Sequence, residues 1–166
     1  MTFEIERKFL VRGNGWGPLV TKRISIRQAY LNSNGKASIR VRINDGSTAT
    51  LSIKSKPTEL RRLELEYPIP VLEAEALMAL RHGSAIEKIR HEVPWGGLKW
   101  EIDVFSGENA GLVIAEIELH DEKQHFELPD WIGAEVTGRR EYYNSYLVQA
   151  QFNTWTKLDA SAEWLA

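Results

Sequence analysis

Residues 3–11, Phe-Glu-Ile-Glu-Arg-Lys-Phe-Leu-Val, place Glu4, Glu6 and Lys8 at every second position. Side chains at positions i and i+2 of a β-strand point to the same side, about 6–7 Å apart. A strand over this segment therefore carries three charges on one face and Ile5 and Phe9 on the other. The segment predicts an amphipathic strand with one charged face and one apolar face.

The same alternation recurs along the chain and predicts eight strands. The seven further strands are predicted at 23–31, 36–44, 48–54, 61–69, 85–93, 98–105 and 112–120. Three turn sequences, Asn34-Gly35, Asp45-Gly46 and Gly96-Gly97, separate neighbouring runs and are typical of short β-hairpins. Successive hairpins indicate an antiparallel sheet. Two helices are predicted, one over 71–81 and one over 139–152.

Length and composition indicate one domain over residues 1–166. The chain has 166 residues, 43% of them hydrophobic, and a net charge of −2, which suits one packed core. The segment 148–166 contains two tryptophans and is expected to dock on the domain. No signal peptide or membrane span is expected, which predicts a cytoplasmic location, and the near-neutral charge argues against nucleic acid as a partner.

The absence of cysteine excludes disulfides, cysteine-bound zinc and a thiol nucleophile. The four histidines lack ligand-like spacing, which makes a histidine-based zinc site unexpected. Any metal is therefore expected to be a hard cation bound by oxygen.

The charged faces of the strands are sorted by sign. Most strands carry acid pairs or base pairs instead of mixed ladders. The acids are Glu4, Glu6, Glu64, Glu66, Asp103, Glu116 and Glu118, and the bases are Lys8, Arg40, Arg42, Lys54, Lys88 and Arg90.

Two arrangements of these faces are open. Any single charged pair could face solvent on an ordinary sandwich, as charged edge strands often do. The full set favours a closed eight-stranded antiparallel barrel, mainly β, with a charged interior and apolar outer faces covered by helices. Unpaired buried charges are costly, so such an interior must be a wet channel that holds ions.

A channel of this kind suits a polyphosphate with its metal ions. Arginine and lysine side chains converging from several strands form a cradle for phosphate oxygens. The neighbouring carboxylates would repel that anion unless Mg²⁺ or Mn²⁺ lies between them. Two such ions could clamp the phosphate and activate a water molecule for in-line attack.

The segment Glu4-Ile5-Glu6-Arg7-Lys8 resembles the ExExK signature of the CYTH superfamily, the triphosphate tunnel metalloenzymes. The resemblance extends from residue 3 to about residue 147. It also includes Gln28-Ala29-Tyr30-Leu31, Ile39-Arg40-Val41-Arg42, Arg62-Leu63-Glu64-Leu65-Glu66 and Ala115-Glu116-Ile117-Glu118. It implies an eight-stranded tunnel, a triphosphate substrate and dependence on Mg²⁺ or Mn²⁺, with two ions expected.

The resemblance also implies roles for individual residues. It gives metal ligation to Glu4, Glu6, Glu116 and Glu118, with Asp103 beside them, and a supporting or water-orienting role to Glu64 and Glu66. It gives triphosphate binding to Lys8, Arg40, Arg42, Lys54, Lys88 and Arg90. Tyr30 is similar to a tyrosine treated as a proton acceptor, although it could equally close a hairpin by packing.

Within that family, inorganic triphosphatase activity is the first expectation, because the short chain has little material beyond its barrel to bind a base or a thiazolium ring. Nucleoside or thiamine triphosphatase and an adenylate cyclase of the same fold are the alternatives. A non-catalytic polyphosphate sensor is also open, although a pure binder gains nothing from intact carboxylates. Homodimers are common among similar proteins.

Overall fold

The computed structural model describes residues 2–32, 35–56, 61–148 and 152. Nine strands account for most of them. They are β1 Thr2–Val11, β2 Lys22–Asn32, β3 Ala37–Asn44, β4 Thr48–Ser55, β5 Arg61–Ile69, β6 His82–Trp95, β7 Leu98–Phe105, β8 Val113–Glu118 and β9 Ile132–Glu135. Two helices, α1 Val71–Met78 and α2 Asn144–Leu147, and three single 3-10 turns complete the described elements.

The first eight strands form a closed antiparallel barrel. Their order is β5-β4-β3-β2-β6-β7-β8-β1, and β1 closes the sheet by pairing with β5 through Thr2 to Ile5. The same edge of β1 then pairs with β9 at Phe9 and Val11, while its other edge pairs with β8. Closure removes the free edges that an open sheet would expose. The predicted eight-stranded barrel is confirmed.

Two apolar clusters cover the outer surface of the barrel. One contains Phe9, Trp100 and Ile117, covered by Trp131 and by Ile132, the first residue of β9. The other lies beneath α1, where Ala74 and Met78 pack on β2, β3 and β4. Because these residues alternate with the charged ones, burying them outside the barrel turns the charges inward.

A third apolar cluster closes one end of the barrel from inside. Leu10, Ile86 and Phe105 stand in the same strand phase as the charged residues, and Leu10 and Phe105 lie at the ends of their strands. Tyr142 and Leu147, from the chain around α2, pack against them. The interior is therefore a charged cavity with an apolar plug at one end.

A close backbone approach holds that plug in place. The N–H of Ser84 donates to the carbonyl of Val148 at 2.9 Å. Gly83 beside it has φ +69°, and a Cβ at that position would overlap the same carbonyl oxygen. Only glycine fits both conditions.

The structure differs from the sequence prediction in three elements. Strand β9 was not predicted, because its four residues are too few for a clear alternation. A helix is predicted over 139–152, but its described part, up to residue 148, forms a 3-10 turn, Arg140–Tyr142, and the single-turn α2, because Tyr143 between them is extended. Helix α1, predicted over 71–81, ends at Met78 and buries Ala74 and Met78, whereas Leu72 and, beyond its end, Leu80 are exposed.

The predicted docked segment 148–166 lies outside the described residues, apart from Val148 and Phe152. Its docking, and the single domain over residues 1–166, stay predictions. Among the described helices, none combines the length and the apolar character needed to cross a membrane.

Candidate active site

The barrel encloses a cavity of about 240 Å³. Side chains from β1 to β8 and from the turn that begins α2 line it. They are Glu4, Glu6, Lys8, Tyr30, Ser38, Arg40, Arg42, Lys54, Arg62, Glu64, Glu66, Arg90, Glu101, Glu116, Glu118, Tyr143, Asn144 and Ser145. All the site residues predicted from the sequence are among them except Lys88 and Asp103.

One side of the cavity, which we call the acidic wall, consists of Glu6, Glu101, Glu116 and Glu118. Strand pairing places them together, since Glu6 is the partner of Glu118 across β1 and β8, and Glu101 the partner of Glu116 across β7 and β8. Burial and the charge of Glu116 raise the pKa of Glu6 well above its ordinary value. Like charges are thus held side by side there.

Lysine side chains neutralise part of this acidity. The Lys8 Nζ lies 3.2 Å from a carboxylate oxygen of Glu116 and 3.8 Å from one of Glu6. Burial alone would raise the pKa of Glu116, but Lys8 and Arg90 hold it well below its ordinary value. Lys54 similarly bridges Glu4 at 3.0 Å and Glu64 at 2.8 Å.

The opposite chemistry is found on β3, where Arg40 and Arg42 form what we call the arginine wall. Arg40 donates to Ser52 Oγ at 3.2 Å, and its nearest carboxylate oxygen belongs to Glu66, 3.7 Å away. Arg42 forms no ion pair with any carboxylate in the part of the chain that the structure describes. Its Nε donates to the amide oxygen of Gln28 at 2.8 Å.

The charge of Arg42 is consequently poorly compensated. Burial, with the positive charges of Arg40 and Arg90, lowers the pKa of Arg42 to about 9. An anion in the cavity would relieve that repulsion, because it supplies the negative charge that no carboxylate among the described residues provides in an ion pair with Arg42. The arginine wall is therefore arranged to receive a negatively charged ligand.

Lys88 and Asp103 lie behind the cavity surface and form a buried ion pair. The Lys88 Nζ is 2.6 Å from Asp103 and 3.3 Å from the amide oxygen of Asn144. Asp103 also accepts two hydrogen bonds from Arg90, at 2.8 and 2.9 Å. Burial opposes ionisation of Asp103, but Arg90 and Lys88 lower its pKa to about 2. Asp103 thereby fixes the guanidinium of Arg90 against the cavity.

Some lining residues were missed in the sequence analysis. Arg62 and Glu101 stand two positions from Glu64 and Asp103 on their strands, so the alternation that identified those acids also contained the signal for these two. Tyr143, Asn144 and Ser145 carry no such signal. They reach the cavity only because the apolar plug holds the start of α2 at the end of the barrel.

The acidic wall suits a divalent cation of the Mg²⁺ type. Its donors are carboxylate oxygens, which hard cations prefer, and a cation there would favour the ionised form of Glu6, whose pKa is raised by burial and by the charge of Glu116. In the described ranges, however, no three acidic or histidine side chains converge tightly enough to hold a metal ion alone. Mg²⁺ commonly uses one or two carboxylates and completes its shell with water and substrate phosphate, so the walls fit a metal that arrives with its ligand.

Comparisons with known proteins agree with this geometry. The CYTH domain family matches residues 2–147. An inorganic triphosphatase of Acetivibrio thermocellus is 49% identical over 148 residues, which cover 88% of this chain and 93% of the relative. An inorganic triphosphatase of Nitrosomonas europaea is 36% identical over 148 residues, which cover 87% of this chain and 95% of the relative.

A solved structure shows the same fold. The structure of the inorganic triphosphatase NE1496 superposes with a TM-score of 0.64 at 34% identity and covers 87% of this chain and 97% of that chain. The family match spans the whole described barrel, including both walls of the cavity. The chain belongs to the CYTH domain family.

Proposed function

We propose that this protein is an inorganic triphosphatase, which cleaves a phosphoanhydride bond of tripolyphosphate to yield pyrophosphate and phosphate. The two relatives that cover most of the chain carry that activity in their names. The site supplies cations for a polyanion on one wall and carboxylates for a divalent metal on the other. Both are needed for phosphoryl transfer to water, and neither alone would suffice.

The observation that carries the proposal is the poorly compensated charge of Arg42, whose guanidinium forms no ion pair among the described residues. A buried cation without an anionic partner destabilises the free protein, so its presence indicates a ligand that provides the missing charge. Arg40 and Arg90 lie close enough to lower the pKa of Arg42, so three guanidinium groups act on the same region. Guanidinium groups bind phosphate oxygens through paired hydrogen bonds.

The lining of the cavity favours inorganic triphosphate over a nucleoside or thiamine triphosphate. Within the described part of the chain, no aliphatic side chain lines the cavity, and its aromatic members are Tyr30 and Tyr143. A base or a thiazolium ring usually binds against apolar surface, and pockets for such ligands usually measure about 300–1,000 Å³. The cavity here, about 240 Å³, is smaller and polar throughout.

We propose for the acidic residues the roles that the family resemblance implies. We assign Glu4, Glu6, Glu116 and Glu118 to the metal, which we expect to be Mg²⁺ or Mn²⁺, with two ions expected. When bound, the metal neutralises phosphate oxygens and lowers the pKa of a coordinated water. Glu64 and Glu66 lie on β5 beside the arginine wall, where a carboxylate can orient the attacking water.

The remaining residues bind substrate or support those that do. Lys8, Arg40, Arg42, Lys54 and Arg90 line the cavity and are assigned to the triphosphate. Lys88 and Asp103 belong to the same charge network but are buried behind it, so we assign them to holding Arg90. Tyr30 lines the cavity and is our candidate proton acceptor.

A substrate panel tests this proposal. Purified protein is given tripolyphosphate, ATP or thiamine triphosphate with Mg²⁺ or Mn²⁺, and phosphate, pyrophosphate and cyclic AMP are measured. We expect kcat/KM to be at least about tenfold higher for tripolyphosphate than for ATP or thiamine triphosphate, since tripolyphosphate has no organic group that must fit in the cavity. Higher turnover of ATP, or production of cyclic AMP, would instead support one of the alternatives. Binding of tripolyphosphate without turnover would support the sensor.

A homodimer and a cytoplasmic location stay predictions. Light scattering of the purified protein tests the first, and cell fractionation tests the second.

A further inference from the structure

Gln28 is a buried polar residue that the roles above leave without a function. It lies on β2, opposite Arg42 of β3 and Ile86 of β6, with its side chain on the inner side of the barrel. Its exposed fraction is 0%, and it does not line the cavity. A buried amide needs hydrogen-bond partners to offset the loss of water.

The amide oxygen of Gln28 has one such partner, and that partner is Arg42. The Arg42 Nε donates to it at 2.8 Å. The amide nitrogen of Gln28 is buried without a hydrogen-bond partner in the described residues. The side chain is therefore placed for its oxygen alone, and its contact fixes the Nε edge of the guanidinium.

The neutrality of this partner sets Arg42 apart. The other cations predicted to bind the triphosphate, Lys8, Arg40, Lys54, Lys88 and Arg90, each lie within 4 Å of a carboxylate oxygen. A carboxylate orients a guanidinium but also cancels its charge. An amide oxygen orients the same group and leaves its full charge available.

We propose that Gln28 is a positioning residue that aims Arg42 at the triphosphate and, being neutral, keeps the charge of Arg42 free for the ligand. The proposal rests on the proposed function only for the identity of the anion. It implies a trade-off between stability and affinity, because the like charges destabilise the free protein and the bound ligand neutralises them. A carboxylate at position 28 should therefore stabilise the free protein and weaken the binding of the anion.

Gln28→Glu is the decisive variant. It keeps the shape of the side chain and replaces the amide nitrogen with a second oxygen beside Arg42, whose pKa Arg40 and Arg90 help to lower. We expect the melting temperature of the ligand-free protein to rise by a few degrees. We also expect tripolyphosphate to bind at least about tenfold more weakly, since the new carboxylate competes with the phosphate for a charged hydrogen bond from Arg42. Binding is measured by calorimetric titration in EDTA, so that turnover does not interfere.

Two further variants separate positioning from packing. Gln28→Met keeps the volume but has no acceptor for the Arg42 Nε, and we expect both stability and affinity to fall. Gln124→Glu adds the same charge in the loop after β8, outside the cavity lining, and is expected to leave both unchanged. A packing role for Gln28 would instead make Gln28→Glu less stable and spare the affinity.

The outcomes are distinguishable from a failure of the proposed function. Unchanged affinity in Gln28→Glu, or a melting temperature lower than that of the unaltered protein, would overturn the inference. If the unaltered protein binds tripolyphosphate but releases no phosphate from it, the proposed function fails. The comparison of binding constants then still decides the role of Gln28.

Discussion

The two walls of the cavity treat charge in opposite ways. On the acidic wall, each deeply buried carboxylate lies within ion-pair distance of a lysine or arginine of the protein. Glu116, for example, lies near Lys8 and Arg90. On the arginine wall, Arg40 has one distant carboxylate and Arg42 has none among the described residues. The acidic wall can therefore persist without ligand, whereas the arginine wall holds charge that the protein leaves uncompensated.

This difference assigns the two walls different parts of one reaction. On the acidic wall, where most charges are paired, a metal ion can replace a paired lysine or arginine at a modest cost in free energy. A wall with unpaired charge gains most when an anion arrives, and that gain is the binding energy for the triphosphate. Four changes to the protein or its ligands would break or sharpen this contrast.

The largest effect is expected on the acidic wall. Glu116→Gln keeps the side-chain volume but removes an anionic oxygen that we assign to the metal. We expect turnover of tripolyphosphate to fall by at least about a thousandfold, equivalent to about 4 kcal/mol. Excess EDTA should abolish the activity of the unaltered protein as well.

Glu108→Gln is the matched control for that variant, because Glu108 is an exposed acid outside the cavity lining. It should retain full turnover. Undiminished activity in excess EDTA would show that the acidic wall does not hold a metal.

Removing Arg90, which pairs with the acidic wall, and removing Arg42 of the arginine wall should have unequal effects on stability. Arg90→Ala removes one of two cationic partners from Asp103 and from Glu116, which keep Lys88 and Lys8, and losing one member of a buried ion pair costs up to about 3–5 kcal/mol. In a protein of this size that corresponds to a melting temperature lower by about 6–20 °C. Arg42→Ala removes a charge with no carboxylate partner, so its melting temperature should fall by less than half as much. Equal losses would mean that Arg42 has anionic partners in solution.

Ligand should stabilise the protein chiefly through the arginine wall. A triphosphate analogue that resists hydrolysis, at 100 times its Kd with Mg²⁺, should add about 2.7 kcal/mol to the free energy of unfolding. The melting temperature would rise by several degrees, and by less with Mg²⁺ alone. The increment from the analogue should largely disappear in Arg42→Ala. No shift under saturating conditions would mean that the two walls do not form one site.

The smallest effect is expected from Arg40→Lys. Lysine keeps the positive charge but cannot form two parallel hydrogen bonds to one phosphate. We expect KM for tripolyphosphate to rise about tenfold with little change in kcat, because the contact is made in substrate and transition state alike. Arg23→Lys, on the outer side of β2, provides the control and should behave as the unaltered protein. Wild-type kinetics in Arg40→Lys would show that Arg40 is not one of the residues that bind the phosphate through paired hydrogen bonds.

The sequence by itself determined the barrel and most of the cavity lining. Alternation with a period of two assigns each residue of a strand to one face, so Glu4, Glu6 and Lys8 must share a side wherever the strand lies. Acid pairs and base pairs that would repel each other on an exposed sheet are then acceptable only around a common ligand. Hence eight of the nine described strands, the inward charges and the kind of anion could be predicted from local patterns.

Only the tertiary structure decided which charges are paired and where the cavity ends. Alternation places Lys88 and Arg42 on the same inner face, yet it cannot show that Lys88 meets Asp103 while Arg42 meets the neutral Gln28. It also cannot show that Tyr143 and Asn144, far along the chain, reach the cavity behind an apolar plug. The physical reason is that ion pairing and end closure depend on the stagger of strands around the closed barrel and on contacts between distant segments, whereas strand phase depends only on neighbours two residues apart.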